Sequence, residues 1–119
     1  MLTGIKRVII ADTESSQNPV NGDRKKRVTR AKIIAANVEL VGIQTAQIAQ
    51  VQGFNLAYSV TVNRALYGKE KFLYFDGILY EIKTMGKAKS PVDMLLNVQA
   101  SNDVSANAAI EEWIANAGI

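Results

Sequence analysis

The sequence contains no cysteine and no histidine, and proline occurs only at Pro19 and Pro91. Without cysteine there is no disulfide framework and no thiolate metal site, and cysteine usage carries no information about redox compartment. Without histidine the chain lacks the side chain best suited to proton transfer near neutral pH. It also lacks the base that activates most nucleophiles and the commonest nitrogen ligand for metals. The carboxylates do not make up for this. Asp76 belongs to a turn, and Glu81, Asp93, Glu111 and Glu112 show no spacing that forces two of them into one pocket. Asp12-Thr13-Glu14 comes nearest to a cation-binding pair, but two carboxylates in a loop are a weak signal for one. The chain therefore reads as a non-enzymatic protein with no catalytic, cofactor or metal site.

Long apolar runs are missing too. No stretch of about 18 apolar residues is present to span a membrane, and Met1 to Arg7 lacks the charged-then-apolar layout of a secretory signal. The expectation is a soluble, intracellular protein with no membrane partner. With 119 residues, 48% of them apolar, the chain has material for one domain with a modest core. Basic residues are absent from the last quarter. All 14 Lys and Arg fall within residues 1–89, against seven acids, whereas residues 90–119 carry only Asp93, Asp103, Glu111 and Glu112. Such an asymmetry steers a polyanion to one surface or lets copies meet through complementary patches.

Along the chain, Ile5 to Ala11 alternates loosely and reads as a strand. Residues 12–27 then collect Ser15, Ser16, Asn18, Pro19, Asn21, Gly22 and Asp23 before the run Arg24-Lys25-Lys26-Arg27, which predicts a long loop, either functional or disordered. Val28 to Val41 resumes as a strand, and Ile43 to Val51 reads as a short helix. Leu56, Tyr58, Val60 and Val62 alternate with smaller or polar residues at the period of a half-buried strand. Asp76-Gly77 lies between two apolar and aromatic runs and supplies the left-handed backbone angles of a type I′ turn. Pairing outward from that turn puts Lys71, Leu73, Phe75, Ile78, Tyr80 and Ile82 on a core face. Phe72, Tyr74, Leu79 and Glu81 fall on a second face, to be covered by a neighbouring element or subunit. A basic turn, residues 86–91, leads to a last strand with Met94, Leu96 and Val98 on one side. Ser105 reads as the cap of a terminal helix bearing Ile110, Trp113 and Ile114. The fold class is therefore mainly β: a small antiparallel β-barrel over residues 1–104, with a long loop after the first strand and a short middle helix, followed by a C-terminal helix over 105–119.

From Ala35 to Ala100 the order of elements resembles the head-closure, or head-tail connector, proteins of long-tailed bacteriophages. The resemblance rests on the apolar-alanine strand Ala35-Ala36-Asn37-Val38, a helical stretch rich in Gln and Ala, and the strand Tyr58-Ser59-Val60-Thr61-Val62-Asn63-Arg64. It continues through the hairpin motif Tyr74-Phe75-Asp76-Gly77-Ile78-Leu79-Tyr80-Glu81-Ile82-Lys83, a basic turn and a final strand. What it implies is a β-barrel that forms a homo-oligomeric ring in the virion neck, assembled in the host cytoplasm. The ring would sit between the portal or adaptor protein and the tail proteins and close the channel over packaged double-stranded DNA. The loop 12–27 would then be a gate or a lock onto a neighbour. A tail terminator and a free nucleic-acid-binding barrel are the alternatives.

Each candidate feature has two readings. Arg24, Lys25, Lys26, Arg27 and Arg30, with Lys32, form either a contact for DNA or an acidic partner or a solvated basic loop. Phe72, Phe75, Tyr74 and Tyr80 serve base stacking or, better supported by their alternation, core packing. Phe72, Tyr74, Leu79, Ile110, Trp113 and Ile114 form a candidate subunit or partner interface, or the helix packs on its own barrel.

Overall fold

In a computed structural model of the chain, the described residues are 4–17, 24–53 and 55–118. They form the strands β1 (Gly4–Gln17), β2 (Arg24–Leu40), β3 (Tyr58–Asn63), β4 (Phe72–Phe75), β5 (Ile78–Lys87) and β6 (Asp93–Ala100). Helix α1 (Ile43–Val51) joins β2 to β3, and helix α2 (Val104–Ala117) follows β6. All neighbouring strands are antiparallel, in the order β1-β2-β3-β6-β5-β4, and β4 pairs back onto β1 to close a six-stranded barrel. Closure leaves few exposed edges, which suits short strands joined by tight turns.

The hairpin follows from its turn. Asp76 and Gly77 both adopt positive φ, 52° and 78°, as a type I′ turn requires. The register is the one the turn dictates: Phe75 opposite Ile78, Leu73 opposite Tyr80, and Ile82 donating its N–H to the Lys71 carbonyl at 2.9 Å. Leu73, Phe75 and Tyr80 enter the barrel core with Val8, Ile10, Val38, Val60, Val62, Leu96 and Val98. The core face is shorter than its alternation implies. Ile78 and Lys71, at its two ends, are exposed because no element packs over them.

The second face of the hairpin is covered by the chain itself. Phe72 and Leu79 pack with Ile9 and Ala11 against Ala106 and Ile110 of α2, and Tyr74, Trp113 and Ile114 lie at the rim. The assignment of Phe72, Leu79 and Ile110 to a subunit interface is thus corrected, since all three are buried within one chain, whereas Tyr74, Trp113 and Ile114 are only partly covered. The physical reason is the helical stripe at 106, 109, 110 and 113, which supplies the apolar surface that the outward face of the sheet needs. The helix also begins earlier than expected. Its N-cap is Asp103, whose carboxylate accepts from the Ala106 N–H at 3.0 Å, so Ser105 is already inside the first turn.

The largest departure concerns residues 12–27. The described parts of this segment are not loop: Thr13 to Gln17 pair with Arg24 to Val28 and extend the β1–β2 hairpin. Residues 18–23 lie outside the described residues. Alternation breaks at Thr29, where a β-bulge shifts the register between Asp12 and Thr13. The extra residue brings Val28 onto the same outward face as Ala31, beside α2, while Arg30 points to the mouth of the barrel.

Candidate functional site: the β1–β2 arm

The arm is defined by what its strands do not pair with. β1 meets β4 only through Ile9–Ala11, and β2 meets β3 only through Asn37–Leu40. Among the described residues, Thr13–Gln17 and Arg24–Val28 therefore pair only with each other. At about 3.3 Å per residue, residues 12–17 of β1 carry the ribbon roughly 20 Å beyond the last barrel pairing, at Ala11.

Such a ribbon cannot bury two faces, so polar side chains hold it. Arg27 donates to Glu14 across the strands at 3.2 Å. Lys26 forms an ion pair with Asp103, the cap of α2, and its ammonium lies 6.0 Å from the Phe72 ring centroid. The Lys26 ammonium, followed by the N–H of Ala106, holds the Asp103 carboxyl below the usual aspartate range. One residue thus caps the helix and ties it to the arm. In the sequence Asp103 stands out only as one of the four acids of residues 90–119.

At the base of the arm a second polar cluster closes the barrel mouth. Arg30 donates to Asp12 Oδ2 at 2.5 Å and lies 3.8 Å from Glu70, and the Lys71 N–H donates to Asp12 Oδ1 at 2.9 Å. Glu70 is only 1% exposed and accepts from the Gly68 N–H with both carboxylate oxygens, at 3.1 and 3.2 Å. The Tyr67 hydroxyl donates to the Glu70 carbonyl at 2.8 Å. Gly68 is required by close approach, because a Cβ there would sit 2.6 Å from Glu70 Oε1 and 3.3 Å from Arg30 Nη1. Sequence reasoning missed this cluster. Its only signal was an acid between two lysines after a glycine, which is also how a solvated turn looks.

The predicted contact residues are thus divided. Lys26, Arg27 and Arg30 each have an acidic partner within the chain. The side chains of Arg24 and Lys25 lie outside the described residues, and Lys32 is exposed on β2. The carboxylates Asp12 and Glu14 face guanidinium groups, and no cluster of three metal-ligating side chains occurs among the described residues. The aromatic rings are occupied as well. Phe75 and Tyr80 stack at 4.7 Å inside the barrel, and Tyr58 meets each edge-on at 5.7 Å. No helix among the described residues is long and apolar enough to cross a membrane. The chain matches no protein-family model and no curated protein sequence.

Proposed function

We propose that the chain is a structural connector that acts by assembling into a ring, with the barrel as its body and the arm as the part that engages a neighbour. The observation that carries this reading is the arm itself: a two-stranded ribbon that extends past the barrel, pairs among the described residues only with itself, and is braced on α2 through Lys26 and Asp103. A brace of this kind holds a projecting element in one direction, which a docking device needs and a solvated loop does not. Ring assembly also suits a small subunit, because repeated heterologous contacts add strength that one such domain lacks. The order of elements, similar to that of phage head-closure proteins, supports a place between portal and tail.

The internal ion pairs favour a protein over nucleic acid as the arm's target. Charges already matched by Glu14, Asp12 and Asp103 release fewer counterions from a phosphate backbone than free ones do, so the arm is better suited to a protein surface. Electron microscopy of assembled particles tests the proposal. Density for this chain as a ring against the portal is the expected result; its absence from the neck would remove the assignment.

A further inference from the structure

The barrel is closed over only part of its height. β4 has four residues and fills the place between β1 and β5 from Phe72 to Phe75. Beyond Phe72 the two flanking strands continue: among the described residues, Thr13–Gln17 pair only with β2, and the continuation of β5 through Lys87 pairs only with β6. A slot is left in line with β4. Its walls are Thr13 and Ser15 on one side and Ile82 and Lys83 on the other, its floor is Lys71 and Phe72, and its volume is about 510 Å³. With a rise of 3.3 Å, a strand spacing of 4.8 Å and a thickness of 10 Å, one strand residue fills roughly 160 Å³. The slot has room for about three such residues.

We propose that this slot captures an extended, acid-bearing segment of a partner protein as an added strand continuing β4, antiparallel to both β1 and β5. Main-chain groups on the two open edges would provide affinity, as in other cases of strand addition. The charges select the partner's chemistry. Lys26, Lys71 and Lys83 line the slot; Lys26 is paired with Asp103 and Lys83 with Glu81, so the charge left unmatched among the described residues is that of Lys71, and the slot is net positive. A basic segment, such as β2 of a second copy, would meet the unmatched Lys71 ammonium in a net positive lining. Strand capture of this kind does not require ring formation, so either can fail alone.

The test is an NMR titration of the full chain with three synthetic peptides: Thr-Glu-Val-Asp-Val-Glu-Thr, its lysine counterpart Thr-Lys-Val-Lys-Val-Lys-Thr, and an acidic version with Pro at the central Val. The acidic peptide is expected to shift the amides of Thr13–Gln17 and Lys83–Lys87 together, with the lysine and proline versions at least about tenfold weaker. Lys71→Glu should weaken the acidic peptide by a similar factor while its spectrum stays that of the folded chain. Equal binding of the proline version would overturn strand addition, and so would inorganic phosphate producing the same shifts. Lack of any response at either edge, or an affinity unchanged by Lys71→Glu, would overturn the site. The same shifts arising on concentrating the chain without peptide would reassign the occupant to a second copy.

Discussion

Two hairpins of this barrel are built on opposite principles. The short one, Phe72 to Lys87, turns at Asp76-Gly77 and buries apolar side chains on both faces, in the core and under α2. The long one, Gly4 to Leu40, is apolar mainly where it belongs to the barrel, and apart from Val28 beside α2 its arm is held by charge pairs. Burying one large apolar side chain contributes about 1.5–3 kcal/mol, whereas an exposed ion pair contributes about 0–1 kcal/mol. The short hairpin is therefore the structural frame, and the arm is the part that can be changed, or moved by a partner, at little cost to the fold.

The contrast can be broken most severely at its buried end. Phe72→Ala, which removes the ring shared by β4 and α2, should cost about 3–5 kcal/mol, and Ile110→Ala about 2–5 kcal/mol, as measured by urea unfolding. Losses below about 1 kcal/mol would mean that the helix does not cover the sheet as described. Gly68→Ala should follow with about 1–3 kcal/mol, because the new methyl meets a Glu70 carboxylate that is buried and held through both oxygens by the Gly68 N–H.

Asp103→Asn sharpens the contrast, since the amide keeps an oxygen for the cap and loses the charge that Lys26 needs. A cost of up to about 1 kcal/mol is expected, and its pH dependence identifies the cause. The Asp103 carboxyl has a lowered pKa in the folded chain, so its contribution is complete above the unfolded value of about 4 and is lost as pH falls through the folded one. The difference in melting temperature between the wild type and Asp103→Asn should accordingly be present at neutral pH and shrink under acid. The smallest effect belongs to Arg27→Ala. With its side chain 71% exposed and that of Glu14 54% exposed, the loss should stay below about 1 kcal/mol and fade in 1 M salt.

The same contrast explains what was legible in the sequence. Alternation at Tyr58, Val60 and Val62, and the Asp76-Gly77 turn between aromatic runs, report half-buried strands, and both strand positions and register followed from them. The arm left no such trace. Apart from Val28 its strands are polar, and what links their side chains is Glu14 with Arg27, thirteen residues apart in sequence, a relation that no local period expresses. The bulge at Thr29 also puts Val28 and Ala31, three residues apart, on one face, so a reading by alternation breaks where the arm begins. Glu70 was hidden for a different reason. Its burial depends on Arg30 and Gly68 converging at the barrel mouth, and composition alone assigns such an acid to solvent. The helix was found but its cover was not assigned, because an apolar stripe has the same pattern whether it packs on its own sheet or on another subunit.

The central functional claim is that this chain works by joining copies of itself into a ring. Sedimentation velocity of the purified full chain over a wide concentration range, with negative-stain images of the heaviest species, tests it most directly. Closed rings with negligible affinity for naked DNA are the predicted result. A stable monomer at every concentration, binding naked DNA with a steep dependence on salt, would contradict it and point to a free nucleic-acid-binding barrel.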